Sequence, residues 1–389
     1  MVDNNTHAGR DELSRRGLNQ AMLAGLVALT FPARSDLDDL RAQPPPAGVA
    51  PIPLQTTRTP SFRIIALPRL ASPETSPYKS EHIQDLLNHW PQSGDGRNVT
   101  LTAKDAIAEF KRSNFSPTTL GHELVHRIQE AIVRRFGHSR ELYRPVWVPN
   151  ASGEETQLHN YNDAVYLGAG RVAFVPCPDG ITLRDIARNT PQSLRDQMYY
   201  KGYVQAPSES LAQNGTITSA QPPNFLINEL SSRHLGAKMA LELKEETNKY
   251  NATQQDKVSF SPGLEPLIVY TLLLAVEADK HTHTFKDEHD RQQFFGVIRY
   301  LVERCVHLNA IFSVREDFKG YVTSAPDNHF EIFSRSQDCA ELRANVERIF
   351  GRELLDKVMF KPAPDELLVA EPMIEEIPIN SLTYLENLK

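Results

Sequence analysis

Cysteine is scarce. The chain of 389 residues has three, Cys177, Cys305 and Cys339, far apart, odd in number and without a C-x-x-C pair. That argues against a thiolate zinc site and against a disulfide framework, and leaves them as small packing residues. An excess of positive charge is also missing: Lys and Arg total 42 against 49 Asp and Glu, a formal net charge of -7. Without a basic run there is no footprint for nucleic acid or an anionic membrane. No apolar run reaches the roughly 20 residues that a membrane span needs. The longest, Pro266 to Val276 (PLIVYTLLLAV), is short and flanked by acids, as a buried helix would be. Gly168-Ala169-Gly170 fits no dinucleotide or Walker spacing, and no internal repeat is visible.

What remains is the composition of an ordinary globular protein, 40% hydrophobic and 23% charged, long enough for a sizeable core. Proline is plentiful at 27 residues. Near the N-terminus, Ser14 to Phe31 (SRRGLNQAMLAGLVALTF) sets two arginines before a short apolar stretch. The order resembles a twin-arginine export signal, although Asp3, Asp11 and Glu12 precede it and no A-x-A cleavage site follows. The leader of an injected effector and a packing helix over Leu13 to Leu29 are the other readings. Residues 1–35 are therefore read as a targeting or leader segment. Residues 36–60, rich in Pro, Ala and Thr, are read as an extended linker.

The body from Ser61 begins β-rich. FRIIAL (Phe62 to Leu67), VTLT (Val99 to Thr102) and PVWVP (Pro145 to Pro149) are expected strands, and Ala103 to Arg112 a helix. Ala164 to Val175 is expected to form a hairpin around its Gly-Ala-Gly turn. Thr182 to Tyr200 reads as short helices and Val204 to Pro223 as a polar loop. Longer helices are expected at Asn224–Glu246, Leu264–Lys280, Asp290–Leu308 and Ala340–Lys357. The fold class is α+β: residues 61–260 form a mixed half, 261–360 a helical region and 361–389 an extended acidic tail.

One stretch carries chemistry. Ser116 to Gly137 reads SPTTLGHELVHRIQEAIVRRFG. Ser116 is a good N-cap, Pro117 suits the first helical position, and Gly137 suits a left-handed C-cap. Arg134 and Arg135 sit where the helix dipole favours cations. Leu120, Leu124, Ile128 and Ile132 form an apolar stripe. His122 and His126, four apart, share a face on the shoulder of that stripe near Val133, while Glu123 projects about a quarter turn away. Two imidazoles one turn apart can share a zinc ion. The adjacent carboxylate can then serve as general base toward an activated water.

A catalytic zinc site needs a third protein ligand. The pattern H-E-x-x-H-x-x-G-x-x-H is excluded, because Gln129 and Ile132 stand at its Gly and His positions and His138 is out of register. Glu229 in FLINELSSRH, on the expected 224–246 helix, is the leading candidate, with the small residues Gly236 and Ala240 on its side. Glu154 and Glu155, in what reads as a turn (SGEETQ), are the rivals. His281, His283 and His289 lie in a polar stretch without a periodic frame and read as solvated. Tyr199, Tyr200, Arg233 and His234 are candidates by type for a donor to a developing oxyanion.

His122, Glu123 and His126 resemble the H-E-x-x-H zinc metalloproteases. Ile227-Asn228-Glu229 is similar to the third-ligand helix of the gluzincins. Those enzymes place an acid four residues after the ligand, where this chain has Arg233. Gly121-His122-Glu123-Leu124-Val125-His126 also looks like the string of bacterial effector proteases of the NleD-like group. The resemblance spans about thirty residues. It implies a zincin-like catalytic domain within 61–260, Zn2+ held by His122, His126 and Glu229, Glu123 as catalytic base, and hydrolysis of protein or peptide substrates. It also implies a secreted or translocated protein, with a cytoplasmic location left open. Two other readings stand beside it: a non-catalytic helical interaction protein with an incidental motif, and a zinc amidase acting on a non-peptide bond.

Overall fold

A computed structural model describes residues 62–67, 69–76, 78–90, 108, 117–136, 143–149, 155–161, 163–205, 208, 211–213, 216–218, 222–243, 263–281, 284–314, 329–360 and 374–378. All belong to the unit Pro53–Lys389. The leader and the linker, the strand expected at Val99–Thr102, the caps Ser116 and Gly137, Glu154, His138 and His283 lie outside the described residues. So do the helix expected at Ala103–Arg112, except Ala108, and the tail, except 374–378.

The fold is α+β and mostly helical. Strand β1 (Phe62–Ala66) is followed by helix α1 (Glu81–Asn88) and the motif helix α2 (Pro117–Phe136). Strands β2 (Tyr143–Pro149) and β3 (Glu155–Tyr161) pair antiparallel as a separate ribbon. The segment SGEETQ, expected to be a turn, therefore enters a strand at Glu155. Strands β4 (Asp163–Gly168) and β5 (Arg171–Val175) make the expected hairpin, with Gly168, Ala169 and Gly170 all at positive φ. Two glycines supply the left-handed backbone that this tight reversal requires.

Short helices α3 (Leu183–Asn189), α4 (Gln192–Arg195) and α5 (Met198–Tyr200) run into one turn of π-helix, Lys201–Gln205. The stretch expected to be a polar loop, Val204 to Pro223, thus begins inside the end of that turn and contains a small ribbon, β6 (Leu211–Gln213) and β7 (Thr216–Thr218). Helices α6 (Phe225–Glu242) and α7 (Leu264–Lys280) follow close to expectation. Helix α8 (Glu288–Val314) extends beyond both expected ends, its last turns held by the buried Ala310 and Phe312. After α9 (His329–Arg335), the helix expected over Ala340–Lys357 is two helices, α10 (Ala340–Phe350) and α11 (Arg352–Phe360). Gly351 breaks them at φ 86°, a conformation that ends a helix readily only at glycine. Strand β8 (Ile374–Pro378), in the expected extended tail, pairs in parallel with β1 and closes a four-stranded sheet of order β4-β5-β1-β8.

The sheet separates two apolar layers by simple alternation. Val165, Leu167, Ala173 and Val175 face one core, while Ala164, Tyr166 and Val172 face the other. The larger core surrounds α7, where every residue from Leu264 to Ala278 is buried. It draws on both sides of the boundary expected at residue 260, from Phe62 to Val358. The apolar run at Pro266 to Val276 is thus a buried helix, and no described helix is long and apolar enough to cross a membrane. The smaller core packs α1 and α2 against the other face of the sheet. Helix α6 lies between the layers. Leu226, Leu230 and Ala237 enter the larger core, and Leu235 and Met239 the smaller. A helix buried on two sides carries no single apolar stripe. Its side chains Asn228, Glu229 and Ser232 are therefore set against α2.

Candidate metal centre

Helix α2 realises the expected frame. Leu124, Ile128 and Ile132 are fully buried, and Val125 with them. Anchored so, the helix turns His122 and His126 toward α6. Their rings meet edge to face, with centroids 4.5 Å apart at 86°. Asn228, Glu229, Ser232 and Arg233 recur at the three- and four-residue spacings that put side chains on one helix face. Gly121 lets the two helices close: a Cβ there would lie 1.8 Å from the sulfur of Met239 on α6.

The two helices bring Glu229 back to both imidazoles. His126 Nε2 lies 3.0 Å from Glu229 Oε1 and 3.0 Å from His122 Nε2, and His122 Nε2 lies 3.6 Å from Glu229 Oε2. Among the described residues, these three form the group of His, Cys, Asp or Glu side chains whose donor atoms converge, all within 4.8 Å of one another. Donors about 2.0–2.1 Å from a tetrahedral ion would stand about 3.3 Å apart, so the triangle has the right size for a small metal cation. His122 is 6% exposed and Glu229 8%.

The hydrogen bonds around the triangle support the same fit. His126 Nδ1 lies 2.7 Å from Asn228 Oδ1 and 3.2 Å from Ser232 Oγ. With the amide oxygen toward the ring, Nδ1 carries the proton and Nε2 presents its lone pair to Glu229 and His122. His126 Nε2 and the Glu229 carboxylate face each other as acceptors, and they repel unless a proton on His122 Nε2 or a cation sits among the three. A proton on one nitrogen can serve one or two of them, whereas a metal ion serves all three. The buried group could therefore hold a metal ion.

The charges agree. Burial alone would lower the pKa of His126, but the Glu229 carboxylate outweighs it and raises it. Burial would raise Glu229, and His126 and Arg233 hold it below the ordinary carboxylate range. Burial, with Arg233 and His126, keeps His122 neutral well below the usual histidine range. Glu123 is pushed up, by burial first and by the neighbouring Glu229 carboxylate.

Beside the triangle stand two groups able to donate to an oxygen. Arg233 donates from Nη2 to the Tyr203 hydroxyl at 2.8 Å. Tyr203 stacks on Tyr199, with centroids 6.0 Å apart and rings 7° from parallel. Burial, offset by Arg233, pushes the Tyr203 phenol up to about 12, so it keeps its proton. Of the donors named from the sequence, Arg233 and Tyr199 thus lie on this side of α6. Tyr200 packs in the larger core, its hydroxyl near the Ala187 carbonyl, and His234 faces away toward Lys238 and Arg304. Tyr203 went unread, although Tyr199 and Tyr203 are spaced one turn apart. The orienting roles of Asn228 and Ser232 also went unread. Gln129 and Ile132 are buried packing residues, Gln129 donating to Ser231 Oγ at 3.3 Å. Glu155 lies on β3, and His281 and His289 flank the polar turn between α7 and α8.

Compared with protein-family models, curated proteins and solved structures, the chain matches none.

Proposed function

We propose that the chain is a zinc-dependent metallopeptidase built on a zincin-like catalytic domain. The observation that supports this most is the convergence of Glu229 on His122 and His126 from a second helix, 103 residues further along the chain. In this reading His122 and His126 hold Zn2+ through Nε2 and Glu229 holds it through a carboxylate oxygen. Two imidazoles, one carboxylate and no thiolate form a common donor set for catalytic zinc. When bound, Zn2+ supplies a Lewis acid that lowers the pKa of water and polarises a carbonyl.

The chain's own residues do the rest. Glu123, next to His122 and near Glu229, accepts a proton from the attacking water at its carboxylate and returns it to the leaving nitrogen. Burial and the neighbouring Glu229 carboxylate raise the pKa of Glu123, the direction that favours holding a proton between the two transfers. Arg233 and Tyr203 donate to the substrate oxygen as negative charge develops there, from a buried setting where such donation counts most. Asn228 and Ser232 hold the His126 ring in one orientation.

A peptide-library digest followed by mass spectrometry tests the reading. Wild-type protein cleaves peptide bonds, and a strong chelator stops it. The Glu123→Gln variant retains metal and loses about a hundredfold or more in rate, the scale of general-base catalysis. Equal rates for the variant and the wild type would contradict the role of Glu123. Cleavage confined to non-peptide amides would favour the amidase reading.

A further inference from the structure

A run of buried polar side chains links β4, α6 and α2, and it ends at His126. Ser231 Oγ donates to the Tyr166 carbonyl on β4 at 2.6 Å. Gln129 Nε2 donates to Ser231 Oγ at 3.3 Å. Ser232 Oγ donates to Gln129 Oε1 at 3.5 Å, and it also lies 3.2 Å from His126 Nδ1. Gln129 is 1% exposed and both serines are fully buried. A bond left unmade here therefore costs the desolvation of a buried polar group.

The run of bonds has a direction. A carbonyl oxygen can only accept, so the Ser231 hydroxyl proton points to Tyr166. Ser231 Oγ then meets Gln129 with lone pairs alone. That takes the NH2 end of the Gln129 amide and turns its oxygen toward Ser232. The Ser232 proton satisfies that buried oxygen. Ser232 thus faces His126 with a lone pair, and Nδ1 has to bring the proton. Asn228 Oδ1 shares the same ring nitrogen at 2.7 Å. Which end an amide presents is decided by its partner. With a proton on Nδ1, Asn228 presents its oxygen. Each step follows from one fixed acceptor, a backbone carbonyl in the sheet.

We propose that Gln129 and Ser231 are positioning residues of the metal centre: through Ser232 they fix the proton of His126 on Nδ1 and so keep Nε2 free to bind the ion. The other neutral form of the ring would put a proton where the ion binds. This role rests on His126 as a metal ligand and not on peptide hydrolysis. It gives Gln129, which stands where the longer zinc motif has glycine, a task beyond packing.

Proton–nitrogen NMR spectra of the histidine rings test it in the metal-free chain, without reference to activity. They are taken at a pH where His126 is neutral, and its signals are assigned by their loss in His126→Gln. Wild type shows the Nδ1–H form. In Gln129→Leu the Ser232 hydroxyl has no amide oxygen to serve and turns to Nδ1, so the Nε2–H form appears. Zinc then binds about three- to tenfold more weakly by indicator competition, below the roughly 10- to 100-fold scale of a direct partner. Ser231→Ala frees the Gln129 amide to turn over and shifts the ring the same way; it serves as the second variant if Gln129→Leu does not fold. A merely structural role for Gln129 would lower stability and leave the ring form as it is. An Nε2–H ring in wild type, or folded variants that keep the wild-type ring form, overturns the proposal. If wild type takes up no zinc, the zinc reading fails, and the ring spectra still decide the role of Gln129 and Ser231.

Discussion

At the scale of the residue, the triangle depends on groups that touch no ligand position. His126 is held by Asn228 Oδ1 at 2.7 Å on one side and Ser232 Oγ at 3.2 Å on the other. Gluzincins use an acid four residues after their glutamate for such tasks. Here that position is Arg233, and the amide before Glu229 and the hydroxyl three residues after it orient the ring instead. The Asn228→Ala variant should therefore bind zinc about 10- to 100-fold more weakly, the usual scale for losing an orienting partner. Competition with a metal indicator measures it, and undiminished affinity would show that Asn228 orients nothing. The sequence made His122, Glu123 and His126 legible because their spacing is local. Asn228 and Ser232 were not legible as partners of His126, since their role depends on a contact across more than a hundred residues.

At the scale of the element, the site exists because α2 and α6 pack closely. The sequence pointed to small residues at Gly236 and Ala240 for such an approach; Gly121 of α2, set against Met239, is a further close point. In Gly121→Ala the new methyl would have to displace the buried Met239 side chain. The expected cost is about 1–3 kcal/mol of stability, with weaker metal binding as the helices part. A double-mutant cycle with Met239→Ala, read by denaturant melts, should show coupling of about 1 kcal/mol. Additive effects would mean that the contact does not set the helix separation. Helix α7 was legible from its apolar run. Helix α1 was not: it is only eight residues long, and its start is marked by a single Ser80 cap. The break at Gly351 was missed because an apolar period runs through α10 and α11 alike, and only the positive φ separates them.

At the scale of the whole molecule, α6 is the shared wall of two cores and carries a polar face toward α2. Helix α6 carries Glu229, which meets His122 and His126 of α2 in a group that could hold a metal ion. The α+β class was legible from the order of strand-like and helical periods. The central position of α6 was not, because a helix buried on both sides has no amphipathic signature to read. The account stands on Glu229 binding the same ion as His122 and His126. The most direct measurement is the zinc content and affinity of wild-type protein and of Glu229→Ala, by mass spectrometry of the metal and competition with an indicator. The account predicts one zinc per wild-type chain and an affinity at least about a hundredfold weaker in the variant. A wild-type chain that takes up no zinc, or a variant that holds it as tightly, would contradict it.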